Sequence, residues 1–154
     1  MVYKHPTTVR DVGLSFFVGE ALDEMGPVYK PQPARIVLPE DNGDITVLLS
    51  QPYFGADDDL GRELLRHFLD NYSHCKAREH RLILTHQAVR LACVTAYPCF
   101  VEAVYGFLKR NGILLVCEFS ARSLGVIDNL KVGRLAGVEE ICRCLISSQK
   151  VIRL

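Results

Sequence analysis

The chain has no net charge: 18 basic side chains stand against 18 acidic ones in 154 residues. A general nucleic-acid binder usually presents a basic face, so that class is set aside, while the same balance does little to oppose self-association. No apolar run approaches the roughly 20 residues that span a bilayer. The opening Met1-Val-Tyr-Lys-His-Pro6 lacks the apolar segment of a secretory signal, so a cytoplasmic protein is expected. A Cys-x-x-Cys pair is also missing, although cysteines stand at positions 75, 93, 99, 117, 142 and 144. Reducing conditions keep such thiols free, and a chain of this size with 49% hydrophobic side chains builds a core without disulfides. Cys75 with His74, His80 and His86 matches no familiar zinc spacing, so no metal is expected. Internal repeats and low-complexity tracts are absent as well.

What is present divides near residue 43. Residues 1–43, with prolines at 6, 27, 31, 33 and 39, read as an irregular extension. Its apolar stretch Leu14-Ser-Phe-Phe-Val18 is expected to pack on the body or on a neighbouring subunit. From 44 to 154 the pattern is regular. Strands are expected at Asp44–Ser50, His80–Thr85, Gly112–Cys117, Lys131–Leu135 and Lys150–Leu154. Helices are expected from near Asp57, over about 98–110, over about 120–129, and over a last segment. The first buries Leu60, Leu64, Leu65, Phe68, Leu69 and Tyr72, and the second Phe100, Val101, Val104, Phe107 and Leu108 before Asn111-Gly112 ends it. The last carries Val138, Ile141, Cys142 and Leu145 on one face. Alternation of strands and helices at this spacing implies right-handed crossovers and an α/β domain, a flavodoxin-like three-layer sandwich around a mostly parallel five-stranded sheet. With flavodoxin-like order the first and third strands would be neighbours at the switch point, and loop 51–57 would flank Cys117.

Cys117 is the leading candidate for chemistry. It ends an apolar strand and precedes Ser120-Ala-Arg-Ser-Leu-Gly-Val-Ile-Asp128, where a helix can start. Backbone N–H groups and the helix dipole at such a junction favour the thiolate, the nucleophilic form of cysteine. Glu118 opposes that and Arg122 supports it. A buried space-filling cysteine is the competing reading, and position alone does not choose between them. The loop Tyr53-Phe-Gly-Ala-Asp-Asp-Asp-Leu-Gly61 invites a phosphate site, but its three aspartates would repel phosphate. Asp57 reads instead as an N-cap, so no flavin, nucleotide or other cofactor is expected. His86 follows the second strand and belongs at the same sheet edge, either as an acid/base or bonded to backbone. His67 reads as solvated, Cys93 and Cys99 as weaker relay thiols, and Cys142 and Cys144 as core or near-core helix residues.

The segment Val116-Cys-Glu-Phe-Ser-Ala-Arg-Ser-Leu-Gly-Val-Ile-Asp128 resembles the acceptor-cysteine segment of the DsrE/DsrF-like family, the DsrE and TusD sulfur-relay proteins. Phe54-Gly-Ala-Asp-Asp-Asp-Leu-Gly-Arg-Glu-Leu-Leu-Arg-His-Phe-Leu69, Asp128-Asn-Leu-Lys-Val-Gly-Arg134 and Gln149-Lys-Val-Ile-Arg-Leu154 are similar to the C-terminal DsrE-like domain of YedF-type proteins. The resemblance spans about residues 44–154. It implies a flavodoxin-like fold, assembly as trimers or hexamers, and sulfur carried as a persulfide on Cys117 between donor and acceptor proteins, TusA-like or similar. Ser120 and Arg122 would then line or cap the site, and Tyr53 and His86 would border it. Three departures stand out. Residues 1–43 are too short for a TusA-like domain and contain no cysteine for its Cys-Pro-x-Pro motif, Ser120 occupies the position of a second cysteine, and His86-Gln-Ala88 replaces an Asn-Ser-Gly-like turn. A single-thiol sulfur carrier or sulfurtransferase is therefore the leading reading. A non-enzymatic oligomeric binding or regulatory domain using the same cleft is the alternative.

Overall fold

A computed structural model describes residues 43–93 and 98–154. The extension before Gly43, its stretch Leu14–Val18, and Tyr97 lie outside the described residues, as does the side chain of Cys99. The elements run β1 (Ile45–Leu49), α1 (Asp59–His74), β2 (His80–Leu84), a 3-10 helix (His86–Ala92), α2 (Pro98–Lys109), β3 (Ile113–Cys117), α3 (Glu118–Ser123), a short 3-10 turn (Ile127–Asn129), β4 (Arg134–Ala136), α4 (Val138–Ser147) and β5 (Lys150–Arg153). The α/β architecture read from periodicity holds: five strands form one parallel sheet in the order β4-β3-β2-β1-β5, flanked by helices.

The strand order corrects one expectation. β1 lies between β2 and β5, so β1 and β3 are not neighbours and Cys117 does not sit at a switch point. The chain steps from β1 to β4 in one direction, then returns across the whole sheet to β5. With right-handed crossovers, such a path puts the helices of the outward steps on one face and the returning helix on the other. The core divides accordingly. Val47, Leu49, Leu82, Leu84, Leu114 and Val116 meet Leu65, Leu69 and Tyr72 of α1 and Phe100, Val104 and Phe107 of α2. On the opposite face Ile83, Leu115, Cys117 and Ala136 meet Ile141 of α4, with Cys144 and Leu145 packed beside them. Period-two alternation along each strand produces the split, since successive side chains point to opposite faces.

Helix ends follow local chemistry. The N-cap of α1 is Asp58 rather than Asp57: its carboxylate accepts from the Gly61 N–H at 2.7 Å, while Asp57 pairs with Arg62. The preceding loop folds back over this turn, the Phe54 N–H donating to the Gly61 carbonyl at 2.9 Å. A Cβ on Gly61 would lie 1.9 Å from the Ala56 carbonyl oxygen, so only glycine permits that approach. Leu60 and Leu64, expected inside, are exposed, and Val101 and Leu108 are only half-buried. α2 ends where Asn111 takes the left-handed conformation (φ 62°), as its Asn-Gly pair foretold.

At the amino end of the sheet a polar lattice ties the strands together. Asp44 is 6% exposed and accepts from Arg78 Nε and Nη2 (2.8 and 2.9 Å) and from Arg81 Nη2 (3.4 Å). Those bonds, Arg78's foremost, hold its carboxyl below the ordinary carboxylate range. Thr46 and Ser148 share a hydroxyl hydrogen bond of 2.5 Å, and the Tyr72 hydroxyl donates to the carbonyls of Ile45 (2.8 Å) and Arg81 (3.1 Å). Among the described residues no helix is long and apolar enough to cross a membrane.

Candidate functional site

β3 is apolar and fully covered, and it ends where Glu118 opens α3. Cys117 is therefore both the last strand residue and the N-cap of the helix, two residues earlier than the expected start at Ser120. The helix is also shorter than expected: it stops at Ser123, and Gly125 (φ +64°) turns the chain. Backbone N–H groups of a first helical turn have no intrahelical acceptor and face the capping position. The Cys117 side chain makes no capping hydrogen bond to them. It turns to the α4 side of the sheet, where it packs with Ile83, Leu115, Ala136 and Ile141 and is 5% exposed.

Two of the other expected site residues come together at this edge. His86 adopts a left-handed backbone (φ 49°), and its N–H donates to Ser120 Oγ at 2.9 Å. A non-glycine residue in that region is strained unless its surroundings fix it, and strained residues gather at functional edges. Thr85, which no sequence signal singled out, supplies part of that fixation. Its N–H and its hydroxyl both donate to the Leu49 carbonyl (2.9 and 3.0 Å). The exits of β1, β2 and β3 are thus linked in series: Leu49 to Thr85, then His86 to Ser120. The His86 side chain itself is exposed.

Arg122 and Tyr53 stand differently. Arg122 is exposed and directs Nε and Nη2 to Glu118 Oε1 (3.0 and 2.7 Å), an i,i+4 pair that neutralises both charges beside the thiol. Tyr53 is half-buried and leaves β1, which β2 separates from β3, so two strand spacings of about 9–10 Å intervene at the sheet edge. Loop 51–57 accordingly does not share a strand boundary with Cys117. Among the remaining thiols Cys93 is buried, with Sγ 3.7 Å from the Val89 carbonyl, and burial pushes it above the usual thiol range. Cys142, expected in or near the core, is exposed; Cys144 is half-buried against the α4-side cluster.

These features define an α/β fold with a five-stranded parallel sheet flanked by helices. The chain is structurally similar to YchN of E. coli, with a TM-score of 0.54 and 16% identity over 73% of this chain and 99% of that one. It is equally similar to BT1422 of Bacteroides thetaiotaomicron, described as a conserved protein of unknown function, with a TM-score of 0.55 and 16% identity over 73% and 96% of the two chains. No protein-family model and no curated protein matches the sequence.

Proposed function

We propose that the chain is a single-thiol sulfur carrier or sulfurtransferase that holds a persulfide on Cys117. One observation carries this reading: Cys117 ends β3 and caps α3 at a strand edge where Ser120 and the strained His86 meet. A thiolate there attacks the outer sulfur of a donor persulfide. The donor's S–S bond breaks, a new S–S bond forms on Cys117, and the donor leaves as a thiolate, with no net oxidation. Donor and acceptor are other proteins, TusA-like or similar in chemistry, and the carrier itself works as a homo-oligomer, trimer or hexamer. Ser120 supplies a hydroxyl beside the cargo. His86 borders it through the same hydrogen bond, whereas Arg122 acts only when its pair with Glu118 opens. With Cys117 only 5% exposed, loading requires the 117–120 edge to part.

The test is intact-protein mass spectrometry after incubation with a cysteine desulfurase and cysteine, or with thiosulfate and a rhodanese. A one-sulfur mass gain that Cys117→Ser abolishes is expected, and its absence overturns the proposal. The burial of Cys117 among Ile83, Leu115, Ala136 and Ile141 favours a second reading, an oligomeric binding or regulatory domain in which the thiol only fills space. Alkylation of Cys117 by iodoacetamide solely under unfolding conditions supports that alternative.

A further inference from the structure

We infer that the amino terminus of α4, rather than that of α3, holds the anionic sulfur of Cys117, first as thiolate and then as the outer sulfur of a persulfide. The inference rests on the sulfur-carrier reading and assigns the groups that meet the cargo. Helix starts at the carboxyl edge of the sheet differ in what faces their N–H groups. α1 opens at Asp58, whose carboxylate already accepts from the Gly61 N–H. α3 has six residues, and the thiol that precedes it turns away from its N–H groups. α4 has ten residues and opens at Gly137, which has no side chain to cap it. Its first hydrogen bond runs from the Ile141 N–H to the Gly137 carbonyl at 3.1 Å. The N–H groups of Val138, Glu139 and Glu140 thus have no acceptor further back in the helix. Gly137 itself calls for a reason. Its φ of −69° and ψ of 160° are open to any residue, and a Cβ there would meet no atom within 4 Å. Neither crowding nor a left-handed turn demands glycine, in contrast to Gly61 and Gly125. A serine or aspartate would add a cap bond, whereas glycine leaves the N–H groups to another acceptor.

Cys117 is placed to be that acceptor. Its Cα pairs with Ala136, the residue just before Gly137, across the parallel β3–β4 ladder. Its side chain lies on the α4 face, in one buried cluster with Ala136 and Ile141. The thiol is therefore enclosed by the residue that leads into the first turn and the first residue bonded within it. It is 5% exposed, and among the described residues it has no hydrogen-bond partner. The thiols of Cys75 and Cys93, in contrast, lie 3.6 and 3.7 Å from the carbonyls of Asn71 and Val89. A buried sulfur without a partner gains most from helix-end N–H groups when it becomes an anion. Two carboxylates in the same turn would oppose it, but each is paired. Glu140 accepts from Arg134 (2.6 and 3.0 Å), and Glu139 accepts from Arg143 at 3.2 Å. The outer sulfur of a persulfide then extends past Gly137, where the missing side chain leaves room for it and for the donor. Holding the anion makes and breaks no covalent bond; the transfer itself is the exchange already described.

The test uses the full folded chain and two readouts. One is the rate of Cys117 alkylation by iodoacetamide at a fixed pH near neutrality, located by peptide mapping. The other is the rate of one-sulfur loading by a cysteine desulfurase and cysteine. Gly137→Ser offers the N–H groups a neutral acceptor and is expected to slow both rates at least fivefold while holding or raising the thermal midpoint. Gly137→Ala fills the same space without an acceptor and is expected to stay within about twofold of the parent. Val138, expected on the buried face, is 56% exposed and follows an extended residue, so Val138→Pro suits this first helical position. It deletes one N–H and is expected to slow both rates about threefold. Unchanged rates in Gly137→Ser and Val138→Pro overturn the assignment. Equal slowing by Gly137→Ala and Gly137→Ser overturns it too, since access alone would then account for the loss. Slowed alkylation in variants of a chain that gains no sulfur would keep α4 as the partner of the thiolate and sink the carrier reading. Parent-like loading in every variant sinks only the α4 assignment, and a Cys117 that no reagent reaches in the folded parent removes both.

Discussion

At the amino end of the sheet side-chain groups close on one another, the buried Nε2 of His80 excepted: Asp44 with two arginines, Thr46 with Ser148, and the Tyr72 hydroxyl with two strand carbonyls. At the carboxyl end the ties fall on loops and run mostly through backbone. They are Thr85 on Leu49, Ser50 on Leu154, Ala88 on Ser50 and the His86 amide on Ser120, beside a thiol that caps a helix without bonding to it. Both ends belong to the same five strands, so the difference comes from what the chain adds beyond them. The amino end spends its polar groups on joining β1, β2 and the end of α4. The carboxyl end keeps a strained residue after β2 and a nucleophile-type side chain at the end of β3, away from the switch point.

The comparison breaks most sharply at Tyr72. Its ring lies against Phe68 and Phe107, stacked at centroid distances of 6.1 and 5.6 Å, and its hydroxyl closes the amino end. Tyr72→Ala is expected to cost about 3–5 kcal/mol in urea unfolding, as large aromatic truncations do. Tyr72→Phe isolates the hydroxyl and is expected to cost about 1–2 kcal/mol. In neither folded variant should the alkylation rate of Cys117 change, and a coupled change would show that the two ends are not separate. Asp44 sharpens the point with pH. Its folded pKa lies below the ordinary 3.8, so the unfolded chain binds the proton more readily. The stabilisation it lends is present above about pH 4 and is lost as pH falls further through the folded value. Asp44→Asn should be less stable than the parent at neutral pH and lose less on acidification; parallel acid profiles would remove Asp44 from the account.

Legibility in the sequence follows the same divide between local and distant. Strands β1 and β3 are short apolar runs, and the Cys117 junction is a local feature, so both could be read directly. Three consecutive aspartates offer equal capping chemistry, and only the fold-back of the loop onto Gly61 selects Asp58. The 3-10 helix at His86–Ala92 has no 3.6-residue period to announce it. Strand order is not written in periodicity, because β1–β3 and β1–β2 adjacency demand the same alternating faces; the misplaced loop 51–57 came from that. The His86–Ser120 bond joins residues 34 apart, and nothing local in either marks the other. On α4, Val138 and Cys142 are apolar enough for a core, and the helix reads as one broad face when it has two.

The carboxyl end offers a smaller test. His86 pays a steric cost at φ 49°, and its hydrogen bond to Ser120 uses the backbone, which glycine retains. His86→Gly relieves about 1–2 kcal/mol of left-handed strain and adds back up to about 1 kcal/mol of unfolded-state freedom. A net gain between zero and about 2 kcal/mol is expected, and a clear loss would mean that the imidazole makes contacts of its own. Tyr72→Phe, in contrast, can only lose, so the signs of the two substitutions separate an end built for stability from one that stores strain.

The smallest effect returns to the amino end, at His80. Its imidazole meets the Tyr72 ring edge-on at a centroid distance of 5.1 Å, and its Nε2 is buried without a hydrogen-bond partner. Burial lowers its pKa below 6.5, against an opposing backbone hydrogen bond with Cys75. The folded chain therefore binds this proton less readily than the unfolded chain. Stability from a neutral His80 is complete above about pH 6.5 and declines as pH falls below it toward the folded value. Thermal midpoints followed from about pH 7 to pH 5 should drift downward in the parent, well before Asp44 titrates. His80→Phe keeps the ring edge against Tyr72 and has nothing to protonate, so its midpoints should drift less over the same interval. Equal slopes would assign the mild-acid sensitivity to another group, and the amino end would then titrate only where Asp44 does.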